Sequence, residues 1–332
     1  MIPAPASGGR PGDPVRTIFF GSGAFAVPIL DALVGDPASR IVAVVTAPDR
    51  PAGRRGTLTP VPVAALAQVH GFPLLQPSSL RDAAAVDALR SIGPALGVLA
   101  DYGRLVPPAV LGIPPRGFLN VHPSLLPRHR GAAPIPATIL ADDPRAGVTL
   151  MAMDAGLDTG PIVSAAAWPL TGIETAAELE ARAATEGAAL LLASLPDWLA
   201  GRLTPRPQDE AAATLTRPLR REDGRLDGDT PARELERRVR AYVPWPGTFV
   251  ETDFGRVAVH RAVVAPAEPG DRPGTLVEDG AGIALATVED RLRLLEVQPA
   301  GGRRMSSEAW RRGHPGAVGT NVIGRDGAVA DR

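Results

Sequence analysis

Asn120, His122 and Asp158 are the residues of this sequence whose types and spacing could do chemistry together. The first two belong to Phe118-Leu119-Asn120-Val121-His122-Pro123. The apolar run from Phe118 to Val121, bounded by Gly117 and Pro123, predicts a short buried strand. Residues two apart on extended backbone share a face, so the amide and the imidazole point the same way. The amide offers a donor and an acceptor, and the imidazole is the side chain that titrates nearest neutrality. Acyl transfer needs such a pair, one group to handle a proton near pH 7 and one to donate to a developing oxyanion. Taken singly, Asn120 reads equally as a turn cap and His122 as a satisfied core histidine. Asp158 stands in the Gly-bounded turn Asp154-Ala155-Gly156-Leu157-Asp158-Thr159-Gly160. It is either an Asx-turn residue or a carboxylate that orients His122.

The elements that must hold these residues read as an open α/β sheet, which presents ligands at the carboxyl ends of its strands. Strands are predicted at Thr17–Phe20, Arg40–Val45, Leu96–Ala100 and Gly147–Met153. Helices are predicted from about Phe25 to Val34, at Val61–His70, Ala83–Ser91 and Ala137–Leu140, and at Thr175–Ala200, where Thr175 and Glu178 form a capping box. Gly21-Ser22-Gly23 after the first strand resembles the glycine turn of dinucleotide sites, with Ala26 in the third position. A tight turn serves any doubly wound sheet, however, and Asp49 reads as a turn residue, too far on to be a ribose ligand. The loop from Thr46 to Gly56 is rich in Pro, Gly and Arg. It is either solvated surface or an arm whose Arg50, Arg54 and Arg55 meet phosphates. The strand end Asp101-Tyr102-Gly103 reads as a ligand wall.

Composition narrows the classes. The 332 residues are 45% hydrophobic and 21% charged, with no apolar run long enough to span a bilayer, which fits a cytoplasmic enzyme of two domains. Residues 1–14 read as a flexible tail without the apolar region of a signal peptide. Cysteine is absent, so disulfides and thiolate metal sites are excluded. All 35 basic residues are arginine, which excludes a Schiff-base or P-loop lysine. A net charge of −1 gives no bulk argument for nucleic acid. A Pro-, Arg- and Thr-rich stretch at 202–218 reads as a linker. Beyond it, one helix at about Pro231–Val243 and short alternating segments at Thr248–Thr252, Arg256–Val264, Gly274–Val277, Gly282–Thr287 and Arg291–Val297 have the rhythm of a small β-barrel. From Arg217 onward there are 19 Arg against 18 Asp plus Glu, so this half is not basic overall.

The chain resembles the folate-dependent formyltransferases, and among them the methionyl-tRNA formyltransferase family. The resemblance rests on the glycine turn with Phe25, Pro48-Asp49-Arg50-Pro51-Ala52-Gly53-Arg54, Tyr102-Gly103, Asn120-Val121-His122 with Ser124-Leu125-Leu126-Pro127-Arg128, and Arg130-Gly131-Ala132-Ala133-Pro134-Ile135. It continues through Gly147-Val148-Thr149, Met153-Asp154 and Gly156-Leu157-Asp158-Thr159-Gly160 to Trp245-Pro246 and Gln298-Pro299-Ala300-Gly301. It implies a Rossmann-like formyltransferase domain at 15–201, binding 10-formyltetrahydrofolate and no metal, and an OB-like tRNA-binding domain at 219–325. It also implies formyl transfer to methionyl initiator tRNA, with Asn120, His122 and Asp158 catalytic. Tyr102, Gly103, Ser124, Leu125, Leu126 and Pro127 fall on the folate side, and Arg50, Arg54 and Arg55 on the tRNA side. A monomer is expected. Pro123, Asp101 and Gly23-Ala24 depart from the family pattern, and Asp101 has no role by resemblance. The rival readings are a formyltransferase for a nucleotide-linked amino sugar, an NAD-dependent dehydrogenase built on Gly21-Ser22-Gly23, and a non-catalytic tRNA-binding protein.

Overall fold

The computed structural model describes residues 13–52 and 57–322, with 50–52 and 57 described by their backbone. The chain divides into two compact units. One comprises Met1–Pro134, Arg145–Pro169 and Glu180–Thr216, and the other Ile135–Pro144, Leu170–Leu179 and Arg217–Arg332.

In chain order the elements up to residue 216 begin with β1 (Val15–Phe20), α1 (Ala26–Gly35), β2 (Ser39–Val45), β3 (Arg50–Ala52), β4 (Thr57–Thr59), α2 (Pro62–Val69), β5 (Leu74–Leu75), α3 (Ala83–Ile92), β6 (Leu96–Leu99) and α4 (Pro108–Leu111). Then follow β7 (Phe118–His122), β8 (Arg130–Gly131), α5 (Pro134–Leu140), β9 (Arg145–Ala152), β10 (Ile162–Pro169), α6 (Ala176–Leu199) and β11 (Leu215–Thr216). Seven strands form one sheet in the order β10-β9-β7-β6-β1-β2-β5. β1 runs parallel to β2 and β6, and β6 parallel to β7. β9 and β10 close one edge antiparallel. The chain leaves β1 for β2 on one side and returns to β6 on the other, so the crevice where open α/β sheets bind ligands lies at the ends of β1 and β6, beside β7. Ser22 ties these ends together. Its hydroxyl donates to the Tyr102 carbonyl (3.3 Å) and accepts from the Ala47 amide (3.0 Å).

The parallel strands are apolar on both faces, as burial on both faces demands; every residue of β6 and β7 is buried. The expected helices and strands of this half are present. β10 escapes a pattern reading because its centre, Ser164-Ala165-Ala166-Ala167, lacks the β-branched and aromatic residues that announce a strand. The arginine loop contains a short antiparallel hairpin, in which Arg50 faces Thr59 and Ala52 faces Thr57. Arg54 and Arg55 lie outside the described residues, as does the tail up to residue 12. The stretch read as a linker carries secondary structure of its own: Arg206 bridges to Ile162, and β11 pairs in parallel with β8.

The second unit contains α7 (Ala232–Ala241), β12 (Thr248–Thr252), β13 (Gly255–Ala265), β14 (Leu276–Asp279), β15 (Gly282–Ala286), β16 (Arg291–Pro299), β17 (Met305–Ser306) and α8 (Ser307–Gly313). Its sheet is antiparallel, in the order β12-β13-β16-β15-β14, with β17 on β16. Leu235 and Val239, one turn apart on α7, join a core with Val257, Leu292, Leu294 and Trp310. No helix among the described residues is long and apolar enough to cross a membrane.

Candidate active site

Asn120 and His122 lie at the carboxyl end of β7, each 5% exposed. The connection from β9 to β10 folds back across them and delivers Asp158. The Asn120 amide nitrogen is 3.4 Å from Asp158 Oδ1, and His122 Nδ1 is 3.7 Å from Asp158 Oδ2. The Gly131 amide donates to the same Oδ2 at 2.8 Å. Of the two readings of Asp158, the turn role belongs to another residue. Asp154 Oδ1 accepts from the Gly156 amide (3.0 Å) and the Thr159 hydroxyl (2.7 Å), leaving the Asp158 carboxylate for the site. Asp158 itself has φ 55°, a left-handed conformation that Asp tolerates better than most residues.

His122 Nε2 lies 3.0 Å from the His129 carbonyl. A carbonyl only accepts, so this nitrogen carries the proton and Nδ1 of the neutral ring is bare, facing Asp158. Burial pushes the imidazole below its ordinary pKa; the Asp158 charge opposes that, as does the His129 carbonyl. The ring is therefore a neutral base held against a carboxylate that stabilises its protonated form.

A second layer comes from the stretch read as a linker. The Gln208 amide nitrogen donates to the carbonyls of Asp158 (2.8 Å) and Gly160 (2.7 Å). Its oxygen accepts from Arg130 Nε (3.0 Å) and Nη2 (2.9 Å), and Arg130 forks onto Glu210 at 2.9 and 2.7 Å. Sequence reasoning missed Gln208, because an isolated polar residue among prolines and arginines carries no period. Gly131, which β11 approaches, has φ +106°, and a Cβ there would lie 2.4 Å from the Thr216 carbonyl oxygen.

The other expected residues separate. Thr149 pins the segment from Ser124 to Pro127: its hydroxyl donates to the Ser124 carbonyl (2.7 Å) and accepts from the Leu126 amide (3.1 Å). The Ser124 hydroxyl donates to the Arg128 carbonyl at 2.7 Å; Leu126 is buried, and Leu125 and Pro127 are half-buried. Tyr102 turns its side chain into the core, edge-on to Phe20 at 5.3 Å, and leaves its backbone and Gly103 at the wall. Asp101, at φ 43°, is the group at that wall. Much of its surface is accessible, yet protein surrounds its carboxyl on most sides, as at the floor of a crevice. That burial, with the Glu180 charge, pushes it up to about 6. The carboxyl fills the space above Gly23, where a Cβ would meet Asp101 Oδ2 at 1.7 Å.

Residues 15–195 match the formyl transferase family model, and residues 218–315 match that of the formyl transferase C-terminal domain. The chain belongs to the formyl transferase family. A methionyl-tRNA formyltransferase from Chloroflexus aurantiacus is 45% identical over 301 residues, which cover 90% of this chain and 97% of that relative. One from Thermus thermophilus is 44% identical over 310 residues, 93% of this chain and 99% of that relative. Among solved structures, HypX from Aquifex aeolicus in complex with tetrahydrofolic acid shares the fold at a TM-score of 0.59 and 15% identity, over 92% of this chain and 48% of that one. An N-formyltransferase from Helicobacter canadensis, in complex with folinic acid and dTDP-3-aminofucose, does so at 0.62 and 14%, over 84% and 99%. In this formyl transferase the glycine turn at Gly21 is thus a feature of a formyltransferase sheet, and the dehydrogenase reading is set aside.

Proposed function

We propose that this formyltransferase moves the formyl group of 10-formyltetrahydrofolate to the amino group of methionyl initiator tRNA, the step that prepares the initiator for translation. The observation that carries the reading is the convergence of Asn120, His122 and Asp158 at one strand end, in a chain whose relatives at 44–45% identity over nine-tenths of its length are methionyl-tRNA formyltransferases. The sugar N-formyltransferases among the similar solved structures are 14–20% identical, likenesses that speak to fold.

In the reaction a C–N bond forms between the acceptor amine and the formyl carbon, the bond from that carbon to N10 of the folate breaks, and the amine's proton ends on N10. Asn120 donates to the oxyanion that develops on the formyl oxygen. His122 takes up the proton at Nδ1, its free lone pair, and Asp158 stabilises the imidazolium that results. Asp158, at 13% side-chain exposure against 5% for His122, is the more accessible of the two to an incoming amine.

The folate lies along half-buried Leu125 and Pro127 and the wall at Tyr102-Gly103, where apolar surface suits a flat heterocycle, with Ser124 and Leu126 behind them, their main chain fixed by Thr149. Arg50, Arg54 and Arg55 meet tRNA phosphates, and the antiparallel second unit is an OB-like module for nucleic acid, a use to which that fold is suited. The protein works as a cytoplasmic monomer. The test is a side-by-side assay of formyl transfer from 10-formyltetrahydrofolate to methionyl initiator tRNA and to a nucleotide-linked amino sugar. Product on the tRNA alone is expected; product on the sugar alone overturns the reading.

A further inference from the structure

Asp158 has two groups of contacts. Its carboxylate meets Gly131, Asn120 and His122, and its main-chain carbonyl meets Gln208. The second group has no part in the chemistry proposed above, yet it uses the full hydrogen-bonding capacity of the Gln208 amide. A primary amide has two N–H donors and an oxygen with two lone pairs. Both Gln208 donors are spent on carbonyls two residues apart in one turn, those of Asp158 and Gly160. Both lone pairs are spent on Arg130. Gln208 is 9% exposed and Arg130 3% exposed, so water does not replace these partners. The amide is fixed in orientation, because turning it over would set its oxygen against two carbonyl oxygens and its N–H groups against a guanidinium. Arg130 is itself fixed by Glu210, and its neighbour Gly131 supplies the N–H that holds the carboxylate. The left-handed backbone of Asp158 is held by the surrounding structure.

We propose that Gln208 is a positioning residue for the reaction: through the carbonyls of Asp158 and Gly160 it fixes the turn that keeps the Asp158 carboxylate against His122. The inference rests on the formyl-transfer reading for its consequence in rate, and on geometry alone for the placement of Asp158. It explains why an aperiodic, Pro-rich stretch is anchored into the first unit by Arg206 and β11 on either side of Gln208. A purely structural brace would alter stability and leave the electrostatics at His122 unchanged. A positioning residue alters them, because the Asp158 charge raises the His122 pKa.

The experiment uses the full chain. His122 is titrated by its ring NMR signals in wild type, Gln208→Ala, Asp158→Asn and the double variant. The titratable groups facing the ring are Asp158 and His129, and the Asp158→Asn and double variants assign any shift to Asp158. The His122 pKa is expected to fall in Gln208→Ala, in the same direction as in Asp158→Asn, and to fall no further in the double variant. Turnover of Gln208→Ala is expected to drop roughly 10- to 100-fold, with the KM of donor and acceptor little changed, as for a displaced catalytic group. Gln208→Glu keeps an acceptor for Arg130 and sets a carboxylate oxygen against the two carbonyls, so it displaces the turn by a second route should Gln208→Ala fold poorly; it is expected to lose turnover and some stability, and each variant's rate is read below its own unfolding midpoint. An unshifted His122 titration in folded Gln208→Ala, or full turnover in either folded variant, overturns the proposal. A shifted titration in a protein that does not formylate tRNA upholds the positioning and fails the functional reading instead.

Discussion

Asp158 Oδ2 and His122 Nδ1 stand 3.7 Å apart, beyond hydrogen-bond range, while the other ring nitrogen of His122 is held at 3.0 Å by the His129 carbonyl. The two residues are 36 positions apart in sequence, one at the end of β7 and the other in the connection from β9 to β10. Catalytic contacts are often longer before substrate binds. The spacing leaves a bare nitrogen beside a carboxylate, so a proton taken up there from an amine meets a charge that stabilises it against the cost of burial.

If Asn120 and His122 act on one transition state, their losses do not add. Asn120→Ala and His122→Ala are each expected to lower turnover by roughly 10²–10³, the usual loss for one oxyanion-site donor. The double variant should lose much less than the product of the two. Single-turnover rates with unfolding midpoints measured in parallel check this. Losses that multiply would place the two residues in independent roles.

Gly131→Ala tests the main-chain support of Asp158. A methyl group there meets the Thr216 carbonyl oxygen 2.4 Å away and forces an alanine to φ +106°. A stability loss of about 1–3 kcal/mol is expected from the backbone alone. A shift of the N–H that binds Asp158 should also depress turnover in the fraction that stays folded. Thermal unfolding and active-site-normalised rates separate the two effects.

Asp101 makes a pH prediction. Its carboxyl is pushed up from the ordinary 3.8 to about 6 in the folded chain. The native state therefore binds more protons than the unfolded state between those values, and the Asp101 contribution to stability falls as pH rises through that window. Asp101→Asn removes this dependence. The variant should gain on wild type as pH rises from about 4 to 6 and hold that gain above it. Water in the crevice keeps the gain below what the shift alone implies. Urea unfolding across the window measures it, and His122, titrating in both proteins, cancels in the comparison.

In the second unit Arg291 is buried against Asp271 at 2.5 Å, with Glu268 at 2.9 Å. The Arg291 guanidinium holds the Asp271 carboxyl below its usual range. Asp271→Ala leaves a buried cation with one exposed partner, and a loss of about 3 kcal/mol is expected. The lowered unfolding temperature should be unaccompanied by any change in the rate of the chemical step.

Strand β7 was legible because an apolar run between Gly117 and Pro123 admits little else, and the period of two then set Asn120 and His122 on one face. The parallel core strands and α6, with its Thr175–Glu178 capping box, were legible for the same kind of local reason. The position of Asp158 was not, since its left-handed turn depends on a hydrogen bond from Gly131 and a brace from Gln208, far off in sequence. Tyr102 read as ligand wall because it follows a strand end. The positive φ of Asp101 turns the chain, so the carboxyl faces the crevice and the phenol enters the core. β11 is two residues long, too short to carry any period.

The most direct measurement is the single-turnover rate of formyl transfer from 10-formyltetrahydrofolate to methionyl initiator tRNA by wild type and by Asp158→Asn. Wild type should formylate the tRNA, and the variant, nearly isosteric and folded, should do so at least roughly 10² more slowly. Equal rates in the two proteins would contradict a role for the carboxylate beside His122.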